Sequence, residues 1–250
     1  AATGMVLYAP NLRWRNVPLG ARLQAEVGMP VLLENDANAA VYGEYWCGTT
    51  RGVGDGVFIF ADFGVGSGFL VDGEVYRGRD QAAGEFGHTT IDMNGPRCHC
   101  GNRGCLGTLA SGLAVLRKVR EAVNGGLAIG GLEGLAADRI RLDDVLAAAK
   151  GGDPFCLAAI WEAAVCLGVG IANLINVYNP ASLVIGGRMA AEAPGYWETA
   201  ASAAAERLYP AFGNQVHLAL STLGPDVLAI GAGSLVIRQL FIPLRITVPN

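Results

Sequence analysis

Residues 88–105 read HTTIDMNGPRCHCGNRGC, and this stretch decides how the surrounding chain folds. Thiolate sulfur and imidazole nitrogen are the ligands that zinc prefers, and four of them complete a closed tetrahedral site. Gly101 and Gly104 accept positive φ, so the chain can wrap tightly around an ion. We therefore predict one structural Zn²⁺ held by four residues: His88, Cys98, Cys100 and Cys105. The alternative is three buried free thiols that lie near a histidine by chance, and His99 is expected to point away.

The composition indicates a folded domain with a large core. The chain has 250 residues, of which 52% are hydrophobic and only 16% charged. Its formal net charge of −4 argues against a non-specific nucleic-acid binder, which would carry a basic surface. Three of the six cysteines crowd between residues 98 and 105, unlike the spread framework of a secreted disulfide protein, so we expect a reduced, cytoplasmic compartment.

One apolar stretch, residues 157–178, is about long enough to span a bilayer. It contains Glu162, Asn173 and Asn176, and no basic cluster flanks it. Because charge in mid-membrane is costly, we interpret the stretch as a buried core helix and predict no transmembrane segment. The first residues lack a basic region followed by an apolar run, so no signal peptide is expected.

Hydrophobic periodicity and turn residues predict an α/β protein in which strands and helices alternate. The predicted helices cover residues 19–27, 37–46, 109–123, 142–149, 155–176, 197–208 and 227–240. The predicted strands cover residues 31–33, 56–60, 69–71, 74–76, 181–185 and 216–220.

A second candidate site is the segment Glu34-Asn35-Asp36-Ala37-Asn38. Asn35 and Asp36 follow a predicted strand and open a helix, which is where α/β folds place their ligands. Their side chains could bind vicinal hydroxyls of a sugar, and Asp36 could act as a general base. The alternative, equally weighted on local pattern, is that the aspartate caps the helix.

Two further patterns are ambiguous by themselves. In Gly84-Glu85-Phe86-Gly87-His88 the carboxylate could bind a ligand or could support the histidine, and local reasoning favours support. The glycine-rich segment 64–68 could cradle phosphate with its backbone amides, although a tight turn uses the same residues. The glycines at 186–187 and at 231–233 are open to the same two interpretations.

Together these residues resemble the ROK family (repressors, open reading frames and sugar kinases). The matching segments, in chain order, are residues 9–12 with Trp14, then 34–40, 64–68, 84–88, 98–106, 180–187 and 223–232. The resemblance implies an actin-like, two-lobed fold of the hexokinase and Hsp70 type, with sugar bound between the lobes. It also implies that residues 1–52 are a small lobe, incomplete at its N-terminus, to which residues 227–250 return, and that residues 53–226 form the large lobe with the zinc site.

The resemblance assigns roles to individual positions. The implied sugar contacts are Asn35, Asp36, Glu85 and His88, with His88 also binding zinc. In the family's kinases the residue matching Asp36 is the catalytic base, and ATP with Mg²⁺ is the phosphoryl donor. The implied nucleotide-binding positions are Gly64, Gly66 and Gly68 in the second phosphate loop and Gly186, Gly187 and Gly231 on the adenosine side.

Three departures from the kinase pattern favour a regulator. The chain has no Asp-x-Gly-x-Thr loop, carries Val65 where kinases have threonine, and carries Gly107 where the family has a sugar-binding glutamate. We expect the sugar-sensing effector domain of a ROK-type transcriptional regulator, which contacts DNA through an N-terminal domain absent from this chain and forms homo-oligomers. The alternative is a truncated or degenerate sugar kinase of the same family. A zinc-finger nucleic-acid module is disfavoured by the acidic balance.

Overall fold

A computed structural model of the chain describes residues 4–9, 12–212 and 216–241. The strands are β1 (Val6–Ala9), β2 (Trp14–Val17), β3 (Gly56–Ala61), β4 (Val65–Val71), β5 (Glu74–Val75), β6 (Ser182–Gly186) and β7 (His217–Leu220). The helices are α1 (Leu19–Val27), α2 (Asp36–Cys47), α3 (Leu106–Ala110), α4 (Gly112–Asn124), α5 (Leu142–Lys150), α6 (Pro154–Tyr178), α7 (Arg188–Glu192), α8 (Tyr196–Ala205) and α9 (Val227–Phe241). The predicted α/β class is confirmed.

A five-stranded mixed sheet, in the order β5-β4-β3-β6-β7, organises most of these elements. Strands β3, β6 and β7 run parallel, and β3, β4 and β5 form an antiparallel meander. Because side chains alternate along a strand, Val57 and Ile59 of β3 point to one face and Phe58 to the other. The sheet therefore carries a separate hydrophobic core on each face.

The larger core centres on α6, which packs against α3, α4, α5 and α8. Asp153 caps the helix by accepting from the backbone N–H of Cys156 at 2.8 Å, and Asn179 ends it in the left-handed conformation. Among the described residues, α6 is the one helix whose length and composition would allow it to cross a membrane. Its residues Ile160 and Leu167 are fully buried in the core, as expected for a core helix.

The smaller core covers the other face of the sheet and is formed mainly by α2 and α9. These helices cross closely at Gly43 and Gly231. The approach is so close that a side chain at position 231 would overlap the carbonyl oxygen of Ala39. Separately, β1 and β2 form a two-stranded sheet.

Three sequence-based predictions of local structure need correction. Residues 31–33 do not form a strand, because neither sheet in the described part of the chain includes them and β1 and β2 pair only with each other. The glycine-rich segment is mostly strand, because residues 65–68 pair with β3. The predicted helix over residues 109–123 breaks at Ser111, whose side chain accepts from the backbone N–H of Ala114 and caps α4. Residues 10–11 and 242–250, which carry parts of the family pattern and of the predicted small lobe, lie outside the described residues.

Candidate metal centre and neighbouring ligand site

The metal-binding segment is a compact loop that the backbone folds back on itself. Cys98 donates its backbone N–H to the carbonyl of Asn102 at 2.8 Å, and Gly104 donates to Pro96 at 2.9 Å. Gly104 has a φ of 61°, and any side chain there would overlap the carbonyl oxygen of Asp92. Glycine is therefore required at this point of the loop.

The loop brings together the side chains of His88, Cys98, Cys100 and Cys105, here called the metal group. One ligand atom from each lies within 4.8 Å of the other three. His88 Nδ1 is 3.5 Å from the Cys98 sulfur, and the Cys100 and Cys105 sulfurs are 3.6 Å apart. Two sulfurs bound to one tetrahedral zinc would be about 3.8 Å apart, so the donor set fits this ion.

The burial of the metal group also fits an ion better than a cluster of buried thiols. Cys98 and Cys105 are buried, but Cys100 is exposed. Burial raises the pKa of the Cys105 thiol to about 12, whereas the backbone N–H of Asn102 lowers the pKa of Cys100. A thiolate at Cys105 therefore needs a cation beside it. His99 is not a member of the metal group, but it does not point away as predicted. Its ring packs edge-on against His88, and its Nδ1 lies 4.0 Å from the Cys98 sulfur.

His88 directs its second nitrogen toward Glu85. The distance from His88 Nε2 to a Glu85 carboxylate oxygen is 3.9 Å, which is too long for a hydrogen bond. The Glu85 side chain is 69% exposed, so it remains available to accept hydrogen bonds from a ligand. The geometry is compatible with ligand binding as well as with support of the histidine.

Asn35 and Asp36 begin α2, and their local roles differ from the predicted alternative. The helix cap is Asn35, whose Oδ1 accepts from the backbone N–H of Asn38 at 3.2 Å, and not the aspartate. Asp36 is the first helical residue and accepts from the backbone N–H of Ala37 at 2.8 Å. Both residues are exposed.

The start of α2 and the segment before the metal group lie against the same strand. At Gly68 of β4 a side chain would overlap the carbonyl oxygen of Ala37, so α2 begins directly on the strand. Gly84 and Gly87 approach the carbonyl oxygens of Ser67 and Val65, respectively. Residues 65–68 of β4 therefore carry both candidate sugar-binding segments.

An ion pair that the sequence analysis did not anticipate lies beside Asn35. Arg77 donates from Nε to Glu34 at 2.9 Å, and the amide of Asn38 donates to the other Glu34 oxygen at 3.1 Å. Burial alone would raise the pKa of Glu34, but the hydrogen bonds from Arg77 and from the segment that follows lower it below its usual value. The partners are 43 residues apart in sequence, and no local pattern links them.

Gly107, where the resemblance implies a missing glutamate, lies in α3. A side chain there would start 3.2 Å from the carbonyl oxygen of Gly87, next to His88. Its φ lies outside the left-handed region, so a larger residue would be sterically tight but not strained in the backbone.

Most of the glycines assigned to nucleotide binding have packing reasons in this structure. Side chains would overlap the Phe58 ring at Gly186, the Ala61 carbonyl at Gly187, the Ala37 carbonyl at Gly68 and the Ala39 carbonyl at Gly231. Gly66 lies in β4 beside Ala37, and Gly64 alone of the six has nothing within 4 Å.

Val65, where the family's kinases are expected to carry threonine, is the first residue of β4 and follows the turn after β3. The Val65 side chain is half-buried and packs against the larger core. The turn between β3 and β4 exposes the Phe63 side chain, and the Arg188 guanidinium lies 5.0 Å from the centre of its ring. Arg188 is also paired with Asp143 and lies 3.5 Å from an oxygen of Asp62.

Two of the surface cavities in the described structure lie away from the metal group and from the start of α2. One of about 650 Å³ is lined by residues that include Arg120 and Asp138, and one of about 460 Å³ by residues that include Asp55 and Tyr178. Neither contains a member of the metal group or the first turn of α2.

Comparison with known proteins gives matches to both regulators and kinases. The chain is 39% identical over 186 residues to the xylose repressor of Caldicellulosiruptor bescii, covering 74% of this chain and 47% of the repressor. It is 35% identical over 243 residues to the glucokinase of Halalkalibacterium halodurans, covering 95% of this chain and 72% of the kinase. The chain thus spans about half the length of the xylose repressors that it matches.

Solved structures show the same two classes. A ROK family glucokinase from Streptomyces griseus, in complex with glucose and AMPPNP, matches with a TM-score of 0.83 and 32% identity, over 93% of this chain and 76% of the kinase. A ROK family transcriptional regulator, a homologue of the E. coli MLC protein, matches with a TM-score of 0.82 and 32% identity, over 96% of this chain and 60% of the regulator. The expected actin-like α/β fold is confirmed. Because the ROK family model matches residues 1–239, we conclude that the chain belongs to the ROK family.

Proposed function

We propose that this chain is the sugar-sensing effector domain of a ROK-family transcriptional regulator, with one zinc ion in the metal group beside the sugar. The metal group holds zinc as a structural ion, fixing the loop so that His88 presents its second nitrogen outward. Asn35, Asp36, Glu85 and His88 then contact the sugar hydroxyls. Relatives named as a xylose repressor and as a glucokinase make xylose and glucose the first ligands to test.

The turn between β3 and β4 is the observation that favours a regulator over a kinase. Phosphoryl transfer depends on groups that position the phosphates and stabilise their charge. In this chain the turn exposes an aromatic ring, Phe63, beside a carboxylate, Asp62, and Arg188 already pairs with acidic side chains. Such a turn is poorly suited to hold a triphosphate.

A sugar kinase is the second candidate. It is supported by the glucokinase relative, which matches 95% of this chain at 35% identity. In that case Asp36 is the catalytic base, ATP is the phosphoryl donor with Mg²⁺ as its cofactor, and Gly64 contacts a phosphate.

The remaining parts of the proposal concern the whole protein. A regulator of this kind contacts DNA through a domain outside this chain and works as a homo-oligomer. The cytoplasm suits a site built on three reduced cysteines.

Sugar binding and catalysis are tested together. We expect calorimetry to detect binding of xylose or glucose that Asp36→Asn weakens, and a coupled assay with either sugar and Mg-ATP to stay at background. Turnover that disappears in Asp36→Asn would establish the kinase instead. If neither sugar binds to zinc-loaded, folded protein, the proposed sugar site is wrong.

Zinc is tested by elemental analysis of protein purified without chelator. We expect about one equivalent per chain. Cys100→Ser removes one ligand of the metal group and should lower the zinc content severalfold. Cys47→Ser is the matched control, because Cys47 is exposed and lies outside the metal group. Equal zinc content in both variants would contradict the assignment.

A further inference from the structure

The Glu34–Arg77 ion pair is largely buried beside the first turn of α2. The Glu34 side chain is 10% exposed and the Arg77 side chain 27%. Arg77 donates from two guanidinium nitrogens to one Glu34 oxygen. The other oxygen accepts from the backbone N–H of Asn35 at 3.0 Å and from the amide of Asn38 at 3.1 Å. Both oxygens of the carboxylate are therefore satisfied.

The contacts of Glu34 hold the segment that contains the two N-terminal sugar-contact candidates. Glu34 accepts a hydrogen bond from the backbone N–H of Asn35 and another from the side-chain amide of Asn38, which is buried. Asp36 lies between these two anchored residues. The orientation of Asn35 and Asp36 thus depends on where the Glu34 carboxylate sits.

Arg77 connects this segment to the one that leads to the metal group. It follows β5 and opens residues 77–88, and its carbonyl accepts from the backbone N–H of Ala83 at 3.0 Å. Glu85 and His88 follow directly. The Arg77 side chain therefore fastens the start of this segment to Glu34, two residues before α2, while the metal group fixes its end.

We propose that Arg77, acting through Glu34, is a positioning residue that aligns Asn35 and Asp36 with Glu85 and His88 for sugar binding. This inference rests on the proposed sugar-binding function. Without the guanidinium, a buried carboxylate is left without its charge partner, which is strongly unfavourable. Glu34 then takes up a proton or turns to solvent, and its hold on Asn35 and Asn38 is lost.

The test compares Arg77→Met with Arg79→Met. Arg79 lies in the same segment, and its substitution changes the net charge equally, but its side chain is 93% exposed and pairs with the exposed Asp80. We expect Arg77→Met to weaken binding of xylose or glucose by about tenfold or more, and Arg79→Met by less than about twofold. Zinc content should be the same in both, and binding is measured well below the unfolding temperature of each variant.

Two further variants separate positioning from general destabilisation. Arg77→Lys keeps the charge and should recover part of the affinity, although it lacks the planar fork. The double variant Arg77→Met with Glu34→Gln removes the unpaired charge, so it should bind sugar no worse than Arg77→Met alone. Loss of thermal stability in Arg77→Met with unchanged sugar affinity would overturn the inference.

Amide hydrogen exchange gives a readout that does not need sugar. Arg77→Met should speed exchange at Asn35 and Asn38, and Arg79→Met should not. If the wild-type protein binds neither sugar, the proposed function fails, and unchanged exchange in Arg77→Met would separately show that Arg77 does not hold this segment.

Discussion

At the scale of single residues, the loop around the metal group depends on glycines for two different reasons. Gly101 has a φ of 100°, and a methyl group on its Cα would meet nothing within 4 Å. Only its backbone conformation therefore favours glycine at this position. Gly104 combines a positive φ with direct contact to the Asp92 carbonyl. The sequence showed that both positions were glycine, but the clash depends on a residue twelve positions away and became visible only in the fold.

Substituting alanine at these two glycines should therefore have unequal effects. We expect Gly101→Ala to lower the free energy of unfolding by about 1–2 kcal/mol through strain. Gly104→Ala must also displace the Asp92 carbonyl and should cost about 3 kcal/mol or more and lower the zinc content. Urea unfolding and elemental analysis of both variants measure this. Equal losses of stability would mean that the loop relaxes freely around Gly104.

At the scale of elements, strong local patterns were predictable and long-range pairings were not. The helix at residues 19–27 was placed correctly because Gly28 ends it in the left-handed conformation, and α6 because its apolar run has clear signals at both ends. The predicted strand at residues 31–33 failed because a strand needs a hydrogen-bonding neighbour, which local sequence does not reveal. For the same reason the metal group could be predicted from its spacing, whereas the Arg77–Glu34 pair could not.

The close crossing of α2 and α9 predicts opposite changes in stability when alanine replaces two different glycines of α9. Gly231→Ala should push the helices apart, because a methyl group would overlap the Ala39 carbonyl, and we expect a loss of about 2 kcal/mol or more. Gly233 is exposed in the middle of α9 with nothing within 4 Å. Gly233→Ala should therefore stabilise the protein by up to about 1 kcal/mol. Urea midpoints that move in the same direction for both would contradict close packing at this crossing.

At the scale of the whole molecule, the two hydrophobic cores share their strands. Val57 and Ile59 of β3 face the larger core, while Phe58 between them faces the core under α2 and α9. Strand β6 divides its side chains in the same way, with Leu183 in one core and Val184 in the other. Loss of either core would expose one face of the sheet that supports the other. The boundary of the two lobes at residues 52 and 53 stays a prediction, and the shared strands couple the two sides wherever it falls.

We therefore expect the described part of the chain to unfold in one cooperative transition. Trp46 in α2 lies beside Tyr42 of the smaller core, with ring centres 6.0 Å apart, and Trp197 in α8 packs against the larger core. Variants that keep only one of these tryptophans, with the others replaced by phenylalanine, should show the same urea midpoint by fluorescence, and far-UV circular dichroism should agree with both. A lower midpoint at Trp46 alone would show that the α2–α9 layer opens independently. The proposed sugar contacts at the start of α2 could then separate from the metal group while the larger core stays folded.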